Sequence, residues 1–228
     1  MSPLRRALVG AVVVLTTVLA RRVEAQIQPC NANPGITGNL TKGCAFDTNG
    51  DLSFWSISGN GSSDAWIMND AKGASGGSAV LSALDAGTVA DGVALFQQCI
   101  VSTTPFQNYT LAFAYLVSSG QCSGGFFDFS AYVQWYNMPS CGGSLVLESV
   151  KPTLTFDGAW HPSGLALVSP SGGQSALLNF KLQCGVSGAN VAAGIAFVDE
   201  IGFGCLTDIN GPIVTAPAGA TLTQTTCQ

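Results

Sequence analysis

One histidine, His161, is the whole imidazole inventory of this 228-residue chain. It stands in Trp160-His161-Pro162-Ser163, which reads as a turn. A Ser/His/Asp constellation is defined by spatial geometry, and no local frame here supports one. The Gly-x-Ser-x-Gly elbow is missing around both Ser119-Gly120 and Ser171-Gly172. Glycoside hydrolysis needs two carboxyls facing one cleft. Asp128, Glu148, Asp157 and Glu200 are the acids available, and each reads singly as a solvated strand end or turn. The glycine-rich stretches at 120–125 and 172–173 carry no phosphate-binding motif and no lysine in place. These residues predict a protein that is not an enzyme.

The cysteines are the second chemical feature. There are eight: Cys30, Cys44, Cys99, Cys122, Cys141, Cys184, Cys205 and Cys227. None forms a Cys-x-x-Cys pair, and one histidine is too few for a Cys/His zinc site. An even count in an exported chain reads as disulfides. The start of the chain supplies the export signal. Arg5-Arg6 precedes an apolar run, Ala7 to Ala20, that is short for a bilayer span, and Val23-Glu24-Ala25 offers a small-residue exit. Residues 1–25 are therefore expected to be a signal peptide, an uncleaved signal anchor being the alternative, with no other membrane attachment. The expected compartment is extracellular, or the periplasm in a Gram-negative host.

Removing that segment leaves four lysines, no arginine and twelve acids. Nucleic-acid and polybasic lipid partners are excluded by this balance, because both need Lys/Arg clusters. Charged residues make up only 9% of the chain, so Ser, Thr, Asn, Gln and Gly must carry its solubility. Asn39, Asn60 and Asn108 lie in N-x-S/T sequons.

Short alternating runs separated by Gly, Ser, Asn and Asp clusters must position these groups, and that is an all-β pattern. Period-two alternation runs through Tyr109–Val117, Phe127–Tyr136 and Ala176–Cys184. Further strands are expected at Ser53–Ser58, Ala65–Asn69, Ser78–Leu84, Val93–Ile100, Leu145–Glu148, Leu165–Val168 and Gly194–Phe203. The apolar faces can pack as two antiparallel sheets across one core. Trp55 and Trp135 follow the apolar alternation and are expected inside. Asp199 alternates with Ile195, Phe197, Ile201 and Phe203, which places it on the expected core face. A carboxylate there needs donors or a cation. The domain is expected at 44–205, after an extended lead-in at 26–43 and before a tail at 206–228.

The order of these runs resembles the family 4/9-type carbohydrate-binding modules. The resemblance begins at Phe46-Asp47-x-Asn49-Gly50-x-Leu52-x-x-Trp55 and continues through Ala94-Leu95-Phe96-Gln97-Gln98-Cys99, Tyr109-Thr110-Leu111 and Val133-Gln134-Trp135-Tyr136. It closes at Ala196-Phe197-Val198-Asp199-Glu200-Ile201. It implies a galactose-binding-like jelly roll, a disulfide-stapled β-sandwich. It also implies a structural calcium near Asp47 and Asp199, with backbone hydrogen bonding to Asp199 as the alternative, and no other cofactor. It makes the first and last strands neighbours, hence a Cys44–Cys205 bond, with Cys30–Cys227 clasping the termini. Cys99, Cys122, Cys141 and Cys184 remain; 99–141 with 122–184 is the pairing taken, and the others stay open.

A polysaccharide or other glycan is the partner this resemblance implies. Sugar rings stack on aromatic faces while amides and carboxylates bond their hydroxyls. The polar face of Phe127–Tyr136 offers Tyr132, Gln134 and Tyr136 in a row, extended by Asp128. Gln97 or Gln98 is expected on a neighbouring strand, and Trp66 and Trp160 are expected as rim aromatics. The alternative is an extracellular structural or surface-interaction protein on the same fold with no sugar site.

Overall fold

Alternation of large apolar and polar side chains makes a strand amphipathic, and two such layers bury their apolar sides together. A computed structural model describes residues 39–59, 62–71, 76–85, 92–119, 122, 126–185 and 192–204. It contains two five-stranded antiparallel sheets. The first has the order β1 (Ser56–Ser58), β4 (Gly92–Ile100), β9 (Ser175–Gly185), β6 (Phe126–Tyr136), β7 (Leu145–Glu148). The second has the order β2 (Ser62–Ile67), β3 (Ser78–Asp85), β10 (Ala192–Gly204), β5 (Asn108–Val117), β8 (Trp160–Val168). The expected β-sandwich is thus what the chain forms. Among the described residues the helical element is one 3-10 turn, Asn49–Phe54. No described helix is long and apolar enough to cross a membrane.

The core lies between the sheets. Phe96, Leu178, Phe180, Leu182, Phe129, Val133 and Trp135 from the first meet Leu81, Leu111, Phe113, Val117, Val198 and Phe203 from the second. Trp55 stacks on Phe96 at 4.6 Å, with Phe46 6.1 Å from Trp55. Tyr109 stacks on Phe203 at 5.2 Å. Trp55 and Trp135 are buried, as the alternation predicts.

Three expectations about elements are corrected. The strand expected at Ser53–Ser58 begins only at Ser56, because Asn49–Phe54 closes into the 3-10 turn, with the Thr48 N–H donating to Asp51 Oδ2 at 3.1 Å. The run expected as a turn around His161 belongs to β8, which starts at Trp160. Pro162 fits there because β8 is an edge strand, where a missing N–H leaves the ladder intact. The third correction concerns β10. Ala196 and Val198 are its core residues, while Ile195 is 43% exposed and Phe197 is half-buried on the outer side. A β-bulge between Asp199 and Gly202 then reverses the alternation, so that Ile201 and Phe203 face inward. Glu200 sits in the bulge with φ +51°. Asp199 therefore lies on the outer side of its sheet, fully buried.

Residues 39–44 take over beside β10 where β3 ends. Leu40 N–H donates to Phe203 O at 2.8 Å and Ile201 N–H donates to Cys44 O at 2.9 Å. The expected lead-in is described only from Asn39, and there it is bonded into the sheet. Cys99–Cys141 and Cys122–Cys184 are both bonded, the pairing expected for those four. Cys44 is also disulfide-bonded. Cys30, Cys205 and Cys227 lie outside the described residues, as do the expected signal peptide and the tail.

Candidate functional site

The register of the first sheet sets the site. Gln97 on β4 stands opposite Asn179 on β9, and Asn179 stands opposite Tyr132 on β6. Ser56 of β1 stands opposite Gln97. These four strands place one hydrogen-bonding side chain each on the outer face, in a row across the sheet. The Gln97 amide donates to Asn179 Oδ1 at 2.6 Å, and Asn179 Nδ2 donates to Leu177 O at 2.9 Å. Ser58 Oγ reaches Gln97 Oε1 at 3.5 Å.

Adjacent rows carry the other polar groups. Along the outer side of β6 the order is Asp128, Ser130, Tyr132, Gln134, Tyr136. Their β9 neighbours are Gln183, Lys181, Asn179, Leu177 and Ser175. Gln134 also faces Glu148 of β7 and donates to its carboxylate at 2.8 Å, while the Tyr136 hydroxyl donates to Gln134 Oε1 at 3.4 Å. The chain after β7 crosses over, and Lys151 Nζ lies 5.0 Å from the centroid of the Tyr132 ring. Tyr132 is 8% exposed. Its burial raises the phenol pKa, and the charge of Glu148 adds to that shift.

Five of the expected ligand residues, Asp128, Tyr132, Gln134, Tyr136 and Gln97, thus share one sheet face. Gln98, the alternative to Gln97, points inward instead, where its amide donates to Lys42 O and Phe54 O at 2.8 and 3.1 Å. Trp66 and Trp160 do not join the face, because both belong to the other sheet. The Trp66 indole packs against the core and its N–H donates to Phe46 O at 2.6 Å. Trp160 contacts Phe197 at 6.4 Å and Asn69 Oδ1 at 3.4 Å. Polar residues flank both in sequence, which is why a rim is expected, but strand pairing puts them elsewhere. Asn179, Lys181, Glu148 and Lys151 were missed. The first two stand in the polar alternation of β9, but only the register with β6 shows what they face.

The two acids expected beside calcium are placed differently from one another. Asp199 accepts the Ala71 N–H at 3.0 Å and the Glu200 N–H at 2.7 Å, one on each carboxylate oxygen. Backbone donors of this kind can satisfy a buried carboxylate. Asp47 Oδ1 lies against Gly76, 2.7 Å from where a Cβ would stand, next to Asp70 Oδ2 at 2.6 Å from the same point. Among the described residues no group of three or more His, Cys, Asp or Glu side chains is arranged to hold a metal ion.

Two of the acids named as candidates for catalysis, Asp128 and Glu148, are far apart. Asp128 and Gln134 are six positions apart on β6 and Glu148 faces Gln134, so Asp128 and Glu148 stand about 20 Å apart along the strand. Glycoside hydrolysis uses carboxyls about 5–10 Å apart. His161 is bonded to Asp157 at 2.8 Å on the edge strand of the other sheet.

No protein-family model and no curated protein matches this chain. Among solved structures it is similar to the enzymatically active domain of tailspike protein 4 of bacteriophage CBA120. That likeness has a TM-score of 0.55 at 19% identity and covers 73% of this chain but only 21% of that one. It is also similar to carbohydrate-binding modules of the β-sandwich superfamily, at TM-score 0.48 and 16% identity over 72% of this chain and 61% of that one. A third is the CBM22-1 xylan-binding domain of Paenibacillus barcinonensis Xyn10C, at TM-score 0.48 and 9% identity over 74% and 95%. At these identities the likeness is one of fold, and fold does not fix function.

Proposed function

We propose that this chain is an exported, non-catalytic glycan-binding domain of the family 4/9 module type, with the sugar lying on the outer face of the first sheet. One observation carries this reading. Gln97, Asn179, Tyr132, Gln134, Tyr136 and Glu148, from four strands, converge on that face as amides, phenols and a carboxylate. Such a surface offers donors and acceptors for hydroxyls beside aromatic edges. A glycan array on the chain lacking residues 1–25 tests the reading. Binding that falls at least tenfold in the Tyr132→Ala, Tyr136→Ala double variant supports it. Binding unchanged in that variant rejects the face.

Calcium at Asp47 and Asp199 is carried as part of this proposal. Melting in calcium and in chelator decides it: a higher Tm with calcium supports the ion, and equal Tm values remove it.

A second reading, a surface-interaction protein, has its own observation. The outer face of the second sheet exposes Leu84, Ile195 and Val168, and the acids of β10, Asp199 and Glu200, are buried. A blank array together with self-association abolished by Ile195→Lys would favour it.

A further inference from the structure

Charge is unevenly placed on this molecule. The chain is acidic, with a formal net charge of -5, yet two of the three described lysines stand on the candidate glycan face. Lys181 lies in the middle strand β9, between Leu95 of β4 and Ser130 of β6. Lys151 lies over the Tyr132 ring. Neither forms an ion pair with a described residue. Ser130, 4% exposed beside Lys181, has a hydroxyl with no hydrogen-bond partner. Read along β6, the order is Asp128, then Ser130 beside Lys181, then Tyr132 beneath Lys151, then Gln134 beside Glu148. The acids mark the two ends and the lysines stand between them. Glu148 is held by Gln134.

From this order we propose that the face takes a glycan bearing an anionic group, a uronate carboxylate or a sulfate ester, with Lys151 and Lys181 as the residues that select for the charge. The inference rests on the glycan reading above. A lysine ammonium is a point charge with three donors and no acceptor, so a sugar hydroxyl uses it weakly and an anionic oxygen uses it fully. A half-buried lysine at the centre of a sheet that forms no ion pair with a described residue, Asp128 standing one row along β6, has a counter-ion to gain from a ligand. Lys151 also occupies the ring face of Tyr132 by cation–π contact. A sugar stacking on that ring must move the ammonium aside, and an anionic substituent gives the displaced ammonium a new partner.

The test compares polymers that share a backbone and differ in charge. Polygalacturonate, alginate and glucuronoxylan are each titrated beside their methyl-esterified or carboxyl-reduced forms, and a sulfated galactan beside its desulfated form. The expected result is that at least one charged polymer binds ten or more times tighter than its neutral counterpart. That preference should shrink in 0.5 M salt and be lost in the Lys151→Gln, Lys181→Gln double variant, while Lys42→Gln retains it. Which pair responds separates carboxylate from sulfate. Equal binding of charged and neutral forms overturns this inference and leaves the glycan reading standing. Binding of no glycan on a broad array overturns both.

Discussion

Replacing Asn179 by Ala is the most informative single perturbation of the first sheet. Asn179 is 1% exposed, and it makes two hydrogen bonds: its oxygen accepts from Gln97 at 2.6 Å and its nitrogen donates to Leu177 O at 2.9 Å. Each such bond contributes about 1 kcal/mol net. The partners left behind belong to half-buried residues that water can reach. The expected loss is therefore about 2 kcal/mol, well short of the cost of stranding a buried donor. For a domain of this size that corresponds to a fall in Tm of roughly 4–8 °C. Urea unfolding measures it, with an unchanged m-value confirming that the denatured state is unaltered. A Gln97→Ala variant should lose the shared bond, about 1 kcal/mol, together with the long, exposed bond from Ser58 Oγ, and the double variant should show a coupling near 1 kcal/mol. A loss under about 0.5 kcal/mol with no coupling would refute the row as drawn, since exposed side chains that merely pass one another give such values.

Opening Cys99–Cys141 or Cys122–Cys184 by Cys→Ser at both ends frees loops with separations of 42 and 62 residues. Loop entropy assigns each about 4 kcal/mol, to be read from guanidinium midpoints under oxidising conditions; losses below about 1 kcal/mol would contradict it. The raised pKa of Tyr132 means that the folded state holds its phenolic proton longer than the unfolded chain does. Its stabilisation is present below pH 10 and is lost as pH rises through the folded value, so Tyr132→Phe should flatten the alkaline decline of stability measured between pH 9 and 11. The hydrogen bond from His161, with a second from the Ala159 N–H, holds the Asp157 carboxyl below its ordinary value. That contribution is present above the unfolded pKa and disappears as pH falls through the folded one. His161→Gln should therefore make the acid limb of stability shallower, and an unchanged acid limb would remove the pair from the account.

Much of this fold is local information. Period-two alternation in Tyr109–Val117, Phe127–Tyr136 and Ala176–Cys184 marks strands because a pleated backbone turns successive side chains to opposite faces. The even run of cysteines and the scarcity of histidine are likewise properties of the chain itself. Within a single strand they also place Asp128, Tyr132, Gln134 and Tyr136 together, which is why those four were legible. Tertiary structure alone decided which strands lie side by side. Asn179 became the centre of the candidate site only because β9 sits between β4 and β6 in one register, and Trp66 left it because β2 joined the other sheet. The bulge after Asp199 turned Ile201 and Phe203 inward and left Asp199 on the outer side with Ile195 and Phe197, since one irregular step in a strand reverses every residue beyond it. Lys151 reached Tyr132 through a crossing segment with no periodicity to announce it. Strand type follows from contacts a few residues apart, whereas register, bulges and crossovers are set by residues distant in sequence, and the candidate site is built from those.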